Sequence, residues 1–133
     1  MRDKHAASHI LIVDDEDAIA YVFRRYFELH GFRVSVADDG ESALAFVRSD
    51  PIDALVTDFR MPGMNGQELI ARLRQADPHL PALIVSGYGN EISASLPGVR
   101  ILGKPVDPAY LVACVREMLA DAATVRGLQG MAD

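Results

Sequence analysis

A chain of 133 residues suits one domain, and with half of them hydrophobic a buried core is within reach. The formal net charge of −6 argues against general affinity for nucleic acid or anionic membrane, because both need a basic face. The single cysteine, Cys114, excludes an internal disulfide and fits a reducing compartment. No segment approaches the roughly 20 apolar residues of a membrane helix, and the start MRDKHAASHI lacks the apolar stretch of a signal peptide. The expectation is a cytoplasmic protein.

In chain order, short aliphatic runs alternate with stretches of helical period. His9 to Val13 (HILIV) is too short and too β-branched for a helix and reads as a buried strand. Ile19, Val22, Phe23 and Tyr26 then recur at helical spacing, and Gly31 is placed to end that helix. Phe32 to Ala37 alternates as a second strand, and Gly40 to Ser49 follows as a second helix. Pro51 breaks the chain before a third strand, Ala54 to Thr57, which ends at Asp58. RMPGMNG is loop chemistry; a third helix carries Leu69, Ile70 and Leu73. Ala82 to Val85 ends at Ser86, and Val99 to Leu102 runs into Gly103, Lys104 and Pro105. A last helix begins near Asp107 or Pro108, and the pattern fades into a frayed tail from about Ala123. Between Ser86 and Lys104 the glycines and Pro97 leave only Ile92 and Leu96 as apolar anchors, so the fourth helix should be short or irregular.

Five strands alternating with helices imply an α/β domain, a parallel sheet covered on both faces, with functional groups beyond the carboxyl ends of the strands. The polar residues obey that rule. Asp14 and Asp15 follow the first strand, Asp58 the third, Ser86 the fourth and Lys104 the fifth. Three carboxylates drawn together repel unless a cation relieves the field, and a small hard cation such as Mg²⁺ suits oxygen ligands. Asp58 could then attack phosphorus as a nucleophile, with Ser86 and Lys104 each holding a phosphoryl oxygen. Lys104 stands out because the chain otherwise uses arginine, its only other lysine being Lys4. Singly, each residue has a plainer reading: Asp14 and Asp15 as helix caps, Asp58 and Ser86 as turn residues, Lys104 as a solvated charge. The four histidines look incidental, and Cys114 reads as a small core residue.

LIVDDE, TDFRMPGMNG, VSGYG and the Gly-Lys-Pro after the fifth strand together resemble the receiver family of two-component signalling, over about Ser8 to Ala122. The resemblance implies a flavodoxin-like doubly wound sheet of order 2-1-3-4-5, with residues 1–7 as an extension and 123–133 as a tail. It implies Asp58 as phosphoacceptor, and Asp14 and Asp15 as the acidic pair, with Asp15 the better candidate for direct contact with Mg²⁺. It also implies the Arg60 backbone carbonyl as a further metal ligand, Ser86 as the switch hydroxyl, Lys104 as the phosphate-contacting lysine and a cis Lys104–Pro105 bond. Two positions depart from the family: Ile101 stands where an aromatic switch residue is common, and Val106 where Phe is. The wording is similar to receivers attached to hybrid sensor kinases.

What this implies is a phosphorylation-controlled switch, not a conventional enzyme, fed by a phosphohistidine on a sensor kinase or phosphotransfer protein and acting on a downstream protein. An unphosphorylated pseudo-receiver serving as an interaction module is the alternative. A haloacid-dehalogenase-type phosphatase wants a second Asp two positions after the nucleophile, where this chain has Arg60. A flavodoxin-like flavin site would be repelled by the acidic DDED loop.

Overall fold

A computed structural model describes residues 7–87 and 97–132, the side chains of the last helix as far as Val125. Five strands, β1 (His9–Val13), β2 (Arg33–Ala37), β3 (Ala54–Asp58), β4 (Ala82–Ser86) and β5 (Val99–Gly103), form one sheet. Its order is β2-β1-β3-β4-β5 and every pairing is parallel. Among the described residues there are four helices, α1 (Asp17–Leu29), α2 (Gly40–Ser49), α3 (Gly66–Leu73) and α4 (Pro108–Ala132). The expected short helix between Ser86 and Lys104 falls on residues 88–96, outside the described residues.

Strand periodicity divides the core in two. Ile10 and Ile12 of β1, Val56 of β3 and Leu83 and Val85 of β4 point to one face, where Phe23 and Phe27 of α1 and Leu111, Val115 and Met118 of α4 cover them. Leu11, Val13, Leu55 and Ile84 point to the other, under Ala43 of α2 and Leu69, Ile70 and Leu73 of α3. The central strands β1, β3 and β4 are buried throughout, which is why they read as unbroken apolar runs. The edge strands β2 and β5 are half exposed. Cys114 packs in the core as expected.

Helix ends follow local chemistry. Asp39 caps α2 by accepting the Ser42 N–H at 2.7 Å. Asn65 and Glu68 form a reciprocal capping box at the start of α3, with contacts of 2.8 and 2.9 Å. Gly31, at φ +88°, takes the left-handed turn that closes α1. The Lys104–Pro105 bond is cis.

Three expectations need correction. The buried stripe of α1 is Ala20, Phe23 and Phe27, whereas Val22 and Tyr26 face outward. Apolar residues nearly encircle this helix, so spacing admits two stripes; the choice falls to the one whose Phe27 ring meets Phe32 edge-on at 5.5 Å. Next, α4 does not end near Ala123 but continues to Ala132. Once a helix is nucleated each further residue costs little, and Ala123, Thr124 and Val125 extend it with their side chains exposed. Finally, His9 is not incidental. It is buried, with Nδ1 donating to the Pro51 carbonyl at 2.9 Å and Nε2 2.8 Å from the Ser35 hydroxyl, tying β1 to β2 and to the turn before β3.

Because Phe27 is fully buried between sheet and Phe32, Phe27→Ala should lower stability by about 3–5 kcal/mol in urea denaturation. A loss below about 1 kcal/mol would mean that α1 packs by another face.

Candidate functional site

Parallel register carries the strand ends to one edge of the sheet. Val13 pairs with Thr57 and Asp58 with Val85, so Asp14 and Asp58 emerge side by side from neighbouring strands. Ser86 pairs with Gly103, and the Lys104 N–H donates to the Ser86 carbonyl at 2.9 Å, which brings the Gly-Lys-Pro turn over the same edge.

Five of the residues singled out by the sequence meet here. Asp14, Asp58 and Ser86 are buried, and Asp15 is exposed at the rim. Asp14, Asp15 and Asp58 each offer a carboxylate oxygen within 4.8 Å of the others. The Lys104 ammonium donates to Asp58 Oδ1 at 3.1 Å. Arg60 lies in the exposed loop two residues beyond Asp58. The helix-cap reading of the acidic pair fails, because the residue at the N-terminal boundary of α1 is Glu16 and no side chain caps it. The Asp14 carboxylate instead accepts the Glu16 N–H at 2.8 Å.

The electrostatics are unbalanced. Burial pushes the Asp14 carboxyl up to about 6; the Glu16 N–H opposes this, the Asp58 charge adds to it, and Lys104 pulls it back. Burial works against the Lys104 ammonium, but its hydrogen bond to Asp58 and the charges of Asp58, Asp14 and Glu16 outweigh that and hold its pKa above the ordinary value. One ammonium thus faces a group of carboxylates, one of which is reluctant to ionise. A small divalent cation with oxygen ligands fits such a donor set, and Asp14, Asp15 and Asp58 are the side chains that could hold it.

A profile of the response regulator receiver domain matches residues 10–116. The chain belongs to that family. Receivers are the phosphoacceptor switches of two-component systems, with histidine kinases or phosphotransfer proteins as their general partners, and they bind Mg²⁺ through acidic residues. This receiver is 35% identical over 115 residues to the transcriptional regulatory protein CpxR of Klebsiella pneumoniae, covering 83% of the chain and 48% of the relative. It is 28% identical over 123 residues to the transcriptional regulatory protein GlrR of Escherichia coli, covering 90% of the chain and 28% of the relative. The chain therefore spans less than half the length of these regulators. Among solved structures, it resembles the receiver domain from the hybrid histidine kinase CckA with a TM-score of 0.74 and 35% identity, over 84% of this chain and 99% of that one. A response regulator receiver protein from Sinorhizobium medicae WSM419 gives a TM-score of 0.81 and 30% identity, over 87% and 97%. No described helix of the receiver is long and apolar enough to cross a membrane.

Two contributors escaped the sequence reading. Thr57, fully buried, donates its hydroxyl to the Asp58 carbonyl at 2.9 Å. Gly66 begins α3 directly against the Asp58 backbone and donates its N–H to the Phe59 carbonyl at 2.8 Å. A hydroxyl at the end of an otherwise aliphatic strand, and the Asn-Gly-x-Glu capping pattern, were the available signals.

The raised pKa of Asp14 has a consequence for stability. The folded protein keeps a proton at pH values between the ordinary 3.8 and about 6, where the unfolded chain has released it. Stability should therefore fall as pH rises through that window and stay reduced above it. With a chelator present, Asp14→Asn should be more stable than wild type at pH 7, the gap closing as pH falls from about 6 to about 4. Urea titrations at several pH values measure this; a wild type equal to Asp14→Asn throughout would contradict it.

Proposed function

We propose that residues 8–122 form the receiver unit and that Asp58 accepts a phosphoryl group from a phosphohistidine, reversing a two-state switch. The observation that carries this is the contact between the buried Asp58 carboxylate and the Lys104 ammonium, with Asp14 and Asp15 alongside. Asp14, Asp15, Asp58 and the Arg60 backbone carbonyl would hold Mg²⁺. Bound there, it would offset the charge of the incoming phosphoryl oxygens and relieve the crowding of the carboxylates.

The remaining chemistry belongs to the chain. An Asp58 carboxylate oxygen bonds to phosphorus as the phosphorus–nitrogen bond of the donor breaks, the bonding pair leaving with the imidazole nitrogen. Lys104 exchanges its contact with Asp58 for one with a phosphoryl oxygen, stabilising the added charge of about −1.5 to −2. Ser86 donates its hydroxyl to another phosphoryl oxygen and draws the end of β4 with it. Ile101, exposed on β5, is aliphatic, so the switch operates without an aromatic swing at that position. Output passes to a protein partner.

With Mg²⁺ and acetyl phosphate, the wild type should gain the mass of one phosphoryl group, and Asp58→Asn should gain none. Undiminished labelling of Asp58→Asn would remove Asp58 from this role.

A groove of about 610 Å³ adjoins the pocket, lined by Ile19, Val22 and Phe23 of α1 and by Lys104, Pro105 and Val106. Tyr26, exposed one turn further along α1 from Val22, adds an apolar side chain on the same helix. A donor protein seated here would present its phosphohistidine to Asp58. Val22→Glu should then slow transfer from the donor protein about tenfold, equivalent to losing one buried anchor. Labelling by acetyl phosphate should be unchanged. Equal slowing with both donors would place the defect in the pocket and not in docking.

A further inference from the structure

We propose that Gly66 and Thr57 together clamp the peptide of Asp58, and that the absent side chain at position 66 sets where the acceptor carboxylate stands. This rests on the assignment of Asp58 as acceptor and adds two positioning residues to it.

A Cβ at position 66 would lie 2.5 Å from the Asp58 carbonyl oxygen, 3.1 Å from Thr57 Cγ2 and 3.3 Å from the Phe59 Cα. Two of the three crowding atoms belong to the backbone, so no side chain can swing aside to clear them. By contrast, a Cβ at Gly63, Gly87 or Gly103, other described glycines near the strand ends, would meet nothing within 4 Å. Gly66 is not in the left-handed region, so space and not backbone conformation is what excludes a side chain there. The Thr57 side chain, whose methyl lies next to Gly66, donates its hydroxyl to the same Asp58 carbonyl at 2.9 Å. The Gly66 N–H holds the next carbonyl, that of Phe59, at 2.8 Å.

A relaxed carbon–oxygen contact needs roughly 3.3 Å, so a methyl group at position 66 demands a shift of about 0.8 Å. Helix α3 resists it. Its first turn is closed by the Asn65–Glu68 capping box, and Leu69, Ile70 and Leu73 are buried under the sheet. The acceptor yields more easily. The last residue of β3 paired to β1 is Thr57, so Asp58 is held by strand pairing on the β4 side alone. The shift therefore falls on Asp58, whose carboxylate leaves its 3.1 Å contact with Lys104 and its place beside Asp14 and Asp15.

The test compares Gly66→Ala, Thr57→Val and Leu69→Ala with wild type, well below their melting temperatures. Leu69→Ala weakens α3 from its sheet-facing side, where Leu69 packs in the aliphatic layer. Three readings are taken: Mg²⁺ affinity by calorimetry, labelling rate with acetyl phosphate, and the crystallographic position of Asp58. Gly66→Ala should lose about tenfold in Mg²⁺ affinity and ten- to a hundredfold in rate, with Asp58 displaced against β4. Thr57→Val keeps the side-chain shape but frees the Asp58 carbonyl, and should lose several-fold in both with Asp58 turned. It decides the matter if the glycine variant fails to fold. Leu69→Ala should melt lower yet keep wild-type affinity and rate. Wild-type affinity and rate in Gly66→Ala or in Thr57→Val would overturn the clamp. So would losses no greater than those of Leu69→Ala, or a Gly66→Ala crystal in which α3 has moved and Asp58 has not. A wild type that takes no label at Asp58 would instead defeat the acceptor assignment, while the Asp58 positions and Mg²⁺ affinities still judge the clamp.

Discussion

Crowding of negative charge at the carboxyl edge of the sheet is the constraint on which this receiver depends. Asp14 and Asp58 are buried, Asp15 stands at the rim, and Lys104 is the cation that reaches Asp58. Left in that state the pocket is strained: burial first, and the Asp58 charge after it, disfavour the ionised form of Asp14. The strain is useful. A site that holds excess negative charge in partial burial gains from a divalent cation. Stability is given up locally so that the chemistry has somewhere to go.

The sheet makes that arrangement possible. Parallel strands carry their carboxyl ends to one edge, and with β1 beside β3 the acidic pair lies next to Asp58. Buried aliphatic layers on both faces keep the central strands in register. At the opposite end, His9 and its partners Ser35 and Pro51 join β1 to β2 and to the turn before β3. The His9 N–H donates to Asp53 at 2.7 Å, adding a second tie across the same turn. Rigidity at the amino-terminal edge and charge strain at the carboxyl edge divide one sheet between holding and responding.

Helix α1 shows how one element serves both roles. Phe23 and Phe27 secure it to the sheet, while Tyr21 and Leu29, 63% and 72% exposed, remain in solvent together with Val22 and Tyr26. Spacing alone favoured the stripe containing Val22 and Tyr26 for burial. Because apolar residues occupy nearly the whole circumference, only the volume offered by Phe32 and the sheet selects the rotation of the helix.

The sequence by itself determined the alternation of strands and helices, the parallel sheet and the identities of Asp14, Asp15, Asp58, Ser86 and Lys104. Those features follow from periodicity and from polar residues placed directly after aliphatic runs, both local properties of the chain. Tertiary structure alone decided which face of α1 is buried, the role of His9, how far α4 runs, and the close approach of Gly66 and Thr57 to the Asp58 carbonyl. Such facts depend on distances between atoms remote in sequence, or on volumes that neighbouring elements leave open, and no pattern of residue types encodes a distance.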